Sequence, residues 1–140
     1  MASIDAWAHV QAVIAMLDTA SPAHPVHVGE VVEDNPPTPY WLVLPDAGIL
    51  DGETLAGASS RIDMRVVVKS VGATAREAIA AAQAARAVLV DARPVVAGRR
   101  CWPVRHTDTL PVMPDQGVTT TTSRRLHQAV DTFRIASVPA

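Results

Sequence analysis

The chain has 140 residues, 49% of them hydrophobic and 19% charged, the balance of a folded domain rather than of a disordered segment. Its one cysteine excludes an internal disulfide, and no apolar run approaches the roughly 20 residues that a helical membrane span needs. The net charge of -2 hides a division. Residues 1–60 hold eight acids and no Lys or Arg, a net -8, whereas residues 61–140 hold all 12 bases and six acids, a net +6.

This length suits a single domain over 1–140 that buries its own core without metal or disulfide staples. Met1-Ala2-Ser3-Ile4-Asp5 lacks the basic start and apolar middle of a signal peptide, so a chain made in the cytoplasm is expected. Folding either interleaves the two charge populations or segregates them. Segregation would make the molecule polar and suit it to head-to-tail association. The acids available for that are Glu30, Glu33, Asp34, Asp46, Asp51 and Glu53, and the bases Arg99, Arg100, Arg105, Arg124 and Arg125.

Taken in order, Ser3 is placed to cap a helix over 4–18, with Trp7, Val10, Ile14 and Leu17 as its apolar face. Trp7 is read as a packing residue. A linker at 20–25 precedes a strand at 26–32, and the proline-rich turn at 33–39 excludes helix and ladder bonding. Tyr40-Trp41-Leu42-Val43-Leu44 reads as a buried strand. Residues 61–69 alternate Ile62, Met64, Val66 and Val68 against Arg61, Asp63, Arg65 and Lys69, the period of a half-buried strand. The three strands suggest an antiparallel meander, with a long connection at 45–60 that reads as a solvated tip, a partner contact or, least favoured, a cation loop.

Thr74-Ala75-Arg76-Glu77 is a capping box that opens a helix running to Asp91, with Ile79, Ala82, Ala85, Val88 and Leu89 as a thin stripe. An alanine-lined helix lies close on a sheet. A short strand at 99–106 follows, with Pro103 marking an edge or bulge. Residues 107–123 read as a second long connection, and 124–135 as a last strand whose broken alternation suggests a bulge. The expected class is α+β: a mostly antiparallel sheet of about five strands covered by two helices, in the order α-β-β-β-α-β-β.

No catalytic, cofactor or metal motif emerges. The five histidines lack zinc spacing, there is no G-x-S-x-G elbow, P-loop or dinucleotide glycine pattern, and the carboxylates are scattered. His106 and His127 come near each other if their strands pair. Cys101 lies beside arginines that would lower its pKa, but next to Trp102 in a strand it reads as buried filler. Arg99, Arg100, Arg105, Arg124, Arg125 and Arg134 have the charge for phosphate binding, yet the acidic first half and the absence of spaced aromatics make direct DNA binding the weaker reading.

The N-terminal helix, the step Pro36-Pro37-Thr38-Pro39 into Tyr40-Trp41-Leu42-Val43-Leu44, the strand-capped-helix unit at 61–91 and the closing hairpin into 127–135 together resemble the tail-terminator (tail-completion) proteins of long-tailed, lambda-like bacteriophages. The resemblance covers nearly the whole chain and rests on layout rather than on one motif. It implies a structural virion protein, not an enzyme, that forms a six-membered ring on the tail tube at its head-proximal end. That ring stops tube polymerisation and offers a surface for capsid joining. The implied partners are further copies of the chain, the tail tube protein and head–tail connector proteins, with no cofactor and no membrane. Two other readings stay open: a small-molecule-binding or regulatory α+β module, and a minor enzyme built on His106, His127 and Asp131.

Overall fold

The computed structural model describes residues 5–21, 23–53, 59–115 and 125–140. Among the described residues two helices, α1 (Ala6–Ala20) and α2 (Ala75–Leu89), and seven strands follow in the order α1-β1-β2-β3-β4-α2-β5-β6-β7. The strands are β1 (Val26–Val28), β2 (Tyr40–Pro45), β3 (Ile49–Glu53), β4 (Ser59–Gly72), β5 (Arg99–Cys101), β6 (Arg105–Asp115) and β7 (Leu126–Pro139). The α+β class stands, with seven strands in place of about five.

Two 14-residue strands, β4 and β7, form the spine of the sheet. They pair antiparallel without a break from Ile62↔Ser137 to Gly72↔His127. Each is long enough to be shared by two partners on its outer side. Along β4, the 66–71 half pairs with β2 and the 59–63 end with β3. Along β7, 126–134 pairs with β6 and 137–139 with β5. The two long connections expected from the sequence are therefore largely sheet. Residues 49–53 and 105–115 are strands, because β4 and β7 would otherwise leave backbone N–H and C=O groups unpaired along their outer edges. Residues 54–58 and 116–123 of those connections, and residue 124 of the expected last strand, lie outside the described residues.

The expected meander is corrected at its first strand. β1 runs parallel to β2, Val26 opposite Trp41 and Val28 opposite Val43, and it ends at Val28 rather than at residue 32. Residues 29–39 carry the chain back to the start of β2, a crossover that the rigid Pro36-Pro37 pair helps to extend. The bulges fall in β6 instead of the last strand: its register slips by one residue between His106 and Asp108 and again between Leu110 and Met113. The broken alternation of β7 has another cause, a buried acid, Asp131, on its core-facing side.

One face of the sheet carries both helices. Opposed residues on neighbouring strands share a face, so Ile62, Met64, Val66 and Val68 line up with Ile135, Phe133 and Val43. These form one core with Val10, Val13 and Leu17 of α1 and with Ala85 and Leu89 of α2. Burying a side chain such as Phe133 or Leu17 contributes about 1.5–3 kcal/mol. In α2 the buried stripe is Ala78, Ala81, Ala82, Ala85 and Leu89, and the expected Ile79 faces out. The alanines let the helix lie close enough for Trp41 Nε1 to donate to the Ala81 carbonyl at 3.1 Å.

Helix starts follow their caps. Thr74 Oγ1 accepts from the Glu77 amide at 3.1 Å, the Thr half of the expected box. In α1 the cap is Asp5, whose Oδ1 accepts from the Ala8 amide at 3.2 Å; Ser3 lies outside the described residues. The buried face of α1 is His9, Val10, Val13 and Leu17, and Trp7 stands 53% exposed. Trp7 is thus not the packing residue its spacing suggested.

Candidate interaction surface

Both helices lie on one side, and among the described residues the other sheet face carries no helical layer. Its β1–β2 end closes over a small apolar cluster of Tyr40, Leu42, Val71 and Leu126, with Val31 and Leu44 against it. Elsewhere this face is charged. Asp63, Arg65 and Val67 of β4 stand across from Ala136, Arg134 and Thr132 of β7, the outward half of the alternation. Arg134 Nε donates to Asp63 Oδ1 at 2.9 Å and to Oδ2 at 3.1 Å, its Nη2 also bonds Oδ2, and Arg61 adds a longer approach at 3.9 Å. The Arg134 hydrogen bonds hold the Asp63 carboxyl below its ordinary pKa against partial burial, helped by the charges of Arg134, Arg61 and Arg65. A cleft of about 510 Å³ crosses this face between Asp46 and Ile49 on one side and Thr107 and Asp108 on the other, with Asp63 and Arg134 in its floor.

Beyond the spine, Trp102 marks the β5/β6 margin. It stands 43% exposed with the Arg61 guanidinium 5.0 Å from its ring centre, a cation–π contact. A second cleft of about 280 Å³ opens there, lined by Arg61, Trp102, Pro103, Arg105, Arg134 and Ala136. Pro103 sits at the break between β5 and β6, the edge position its ring demands.

The residues singled out for charge pairing distribute unevenly. Glu30, Glu33 and Asp34 are exposed on the β1–β2 connection. Asp46 is exposed but engaged locally, Oδ1 accepting from the Gly48 amide at 2.8 Å and Oδ2 from the Arg65 amide at 3.2 Å, which makes it a turn cap. Asp51 and Glu53 lie on β3, opposite Arg61 and Ser59 in register. Arg100 and Arg125 are exposed, and Arg105 bonds Asp91 at 2.6 Å with both partners in solvent. Arg124 lies outside the described residues. Arg99 is a correction: it is only 8% exposed, its Nε donating to Ser137 Oγ at 3.0 Å and Nη2 to the Ser137 carbonyl at 3.0 Å. Its guanidinium holds the fold together instead of facing a neighbour.

What the sequence missed is the basic and aromatic cluster around Trp102 and the Asp63–Arg134 pair. The signal for the first was present, a lone Trp between the Arg99-Arg100 pair and Arg105. The second needed the β4–β7 register.

His9 and Asp131 are buried polar groups with structural partners. His9 is fully buried, Nε2 at 2.7 Å from Ser137 Oγ and Nδ1 at 2.8 Å from the Asp5 carbonyl, so this Ser–His pair has no access to a substrate. Burial pushes the Cys101 thiol up, partly opposed by the Arg99 charge, the reverse of an activated thiolate. His106 and His127 do not meet: His106 stands opposite Phe133, and His127 opposite Pro114 at the far end of the same ladder. His106 Nε2 lies instead 3.0 Å from Asp131 Oδ1, on a carboxylate that Arg86 already neutralises. Among the described residues no three His, Cys, Asp or Glu side chains gather as a metal site would need, and no helix is long and apolar enough to cross a membrane.

The molecule is thus an α+β domain with a helix-covered face, a charged open face, and an acidic and a basic margin. No family model and no curated protein matches the chain. Among solved structures it is similar to a chain of the "Virion of native gene transfer agent (GTA) particle", with a TM-score of 0.68 at 19% identity, covering 99% of this chain and 100% of that one. A second solved structure, whose name describes no role, matches with a TM-score of 0.57 at 18% identity over 99% and 98% of the two chains. At such identities the likeness is one of fold.

Proposed function

We propose that this chain is a non-enzymatic structural component of a phage-like virion, and within it a tail terminator. On this reading it forms a six-membered ring on the head-proximal end of the tail tube, ends tube growth and presents a surface to head–tail connector proteins. The observation that carries the virion reading is the end-to-end fold match with a gene transfer agent virion chain, which leaves neither chain with a large unmatched segment. The terminator role rests on the layout resemblance described above. Distinct acidic and basic margins suit a head-to-tail ring, in which every subunit shows one surface to its left neighbour and another to its right. Buried His9, Ser137 and Cys101 give no support to the enzyme reading. The 510 Å³ cleft has the size of a small-molecule site, but its charged, open floor lacks the apolar lining such sites favour.

The test is assembly. Purified chain added to polymerising tail tube protein should shorten the tubes and place one ring, six-fold in averaged electron micrographs, at one end. Tubes of unchanged length with bare ends would refute the terminator role. Particles from a producing strain, separated into heads and tails and probed with an antibody, should carry the chain on tails; its absence from particles would refute the virion reading.

A further inference from the structure

Trp102 and the 30–34 segment have complementary character and lie at opposite margins of the sheet. Strand order β1-β2-β4-β7-β5 puts four inter-strand steps, roughly 19 Å, between them. On one margin, the exposed indole is flanked by two clefts. One is the 280 Å³ cleft already described; the other, about 260 Å³, is lined by Arg93, Arg100, Cys101 and Trp102. Five arginines therefore border one tryptophan, and among the described residues the carboxylates bonded to them are Asp63 and Asp91, an excess of positive charge. The floor beneath is apolar or small: Pro103, Cys101 and Ala136.

On the other margin, Gly29 and Asn35 have positive φ, 79° and 49°, and bracket a short loop. Val31 tucks against the Tyr40–Leu42 cluster, which turns Val32 outward. Val32 is 82% exposed between the exposed acids Glu30, Glu33 and Asp34. Pro36 and Pro37 follow and stiffen the presentation, so less entropy is lost when the loop is engaged.

We propose that the Trp102 patch is the socket for the 30–34 loop of a second copy of this chain, Val32 seated on the indole and its flanking carboxylates on Arg100 and Arg105. This rests on the ring reading above and names the two surfaces that close the ring. An apolar tip inside an acidic collar matches an aromatic floor inside a basic rim. A nucleic-acid strand would satisfy the arginines but leave Val32 exposed, and it would meet the carboxylates of Asp63 and Asp91. Because the two surfaces differ, each copy offers both, and the contact propagates from subunit to subunit in one direction.

The test is disulfide trapping in the full-length chain with Cys101→Ser. Combining Val32→Cys with Arg100→Cys should give a ladder of covalent multimers under mild oxidation, while Ile79→Cys with Arg100→Cys should not. Trp102→Ala should weaken self-association at least about tenfold in light scattering, as expected of a buried interface aromatic. In the chain without introduced cysteines, Arg100→Glu should weaken self-association in light scattering, and adding Glu33→Arg should restore part of it. Assembly that proceeds without the ladder and ignores Trp102→Ala overturns the socket and leaves the ring standing. A chain that stays monomeric at every concentration, alone and with tube protein, overturns both. Binding of a single-stranded oligonucleotide lost in Trp102→Ala, with no ladder, reassigns the patch to nucleic acid and overturns the proposal.

Discussion

Arg86 on α2 grips Asp131 on β7 with two arms, Nε to Oδ2 at 2.9 Å and Nη2 to Oδ1 at 2.6 Å, and so ties the helix to the spine of the sheet. Asp131 is 2% exposed, with Thr109 and His106 completing its shell. Removing one partner of such a pair leaves a buried charge uncompensated. Arg86→Met should therefore destabilise the fold by about 3 kcal/mol, read as a lower denaturant midpoint with an unchanged slope. The double variant Arg86→Met with Asp131→Leu should recover most of that loss, since an apolar pair of similar size often matches a buried ion pair.

The same carboxylate sets an acid limit. Burial raises the Asp131 pKa, but hydrogen bonds from Arg86, Thr109 and His106 and the Arg86 charge outweigh it and hold the carboxyl below its ordinary value. Asp63 is depressed too, chiefly by its bonds from Arg134. A depressed carboxylate contributes stability in full above its unfolded pKa, and that contribution falls away as pH drops through the folded value. Unfolding free energy should be flat on this account above about pH 5 and fall below about pH 4. Asp131→Asn should flatten that acid limb; an unchanged limb would assign it to other acids.

Val66 lies fully buried on the core side of β4, opposite Phe133. Val66→Asp should bury an unpaired carboxylate and cost about 4 kcal/mol, seen as loss of soluble folded protein or a large drop in melting temperature. An unchanged melting temperature would place residues 62–68 outside the core.

Gly72 closes β4 where α2 begins. A Cβ there would stand 2.7 Å from the Ala78 amide nitrogen and 2.8 Å from Glu77 Cβ, so the first turn of α2 must move to admit it. Gly72→Ala should cost about 1–3 kcal/mol, the penalty of overpacking, measurable in urea. The exposed neighbour Ala73→Ser should be near neutral.

If the acidic and basic margins drive assembly, salt must weaken it. Raising ionic strength from about 0.1 M to about 1 M shortens the screening length from about 10 Å to about 3 Å. Each exposed ion pair contributes only about 0–1 kcal/mol, so several must act together for the effect to be seen by light scattering. Association that strengthens with salt would point to apolar contacts instead.

What the sequence determined by itself was local. The alternation at Ile62, Met64, Val66 and Val68 and the Thr74 cap of an alanine helix each depend on residues a few positions apart, and each stands as read. The division between an acidic first half and a basic second half was equally plain. Partner choice was not. That β1 runs parallel to β2, that β4 and β7 each serve two neighbours, and that both helices cover one face follow from pairings between segments far apart in the chain. Side-chain fate follows from those pairings: Arg99 turns inward because Ser137 lies across from Cys101, and Asp131 is buried because Arg86 reaches it from α2. A charged residue carries no local mark of burial; only the tertiary structure supplies the partner that makes burial tolerable.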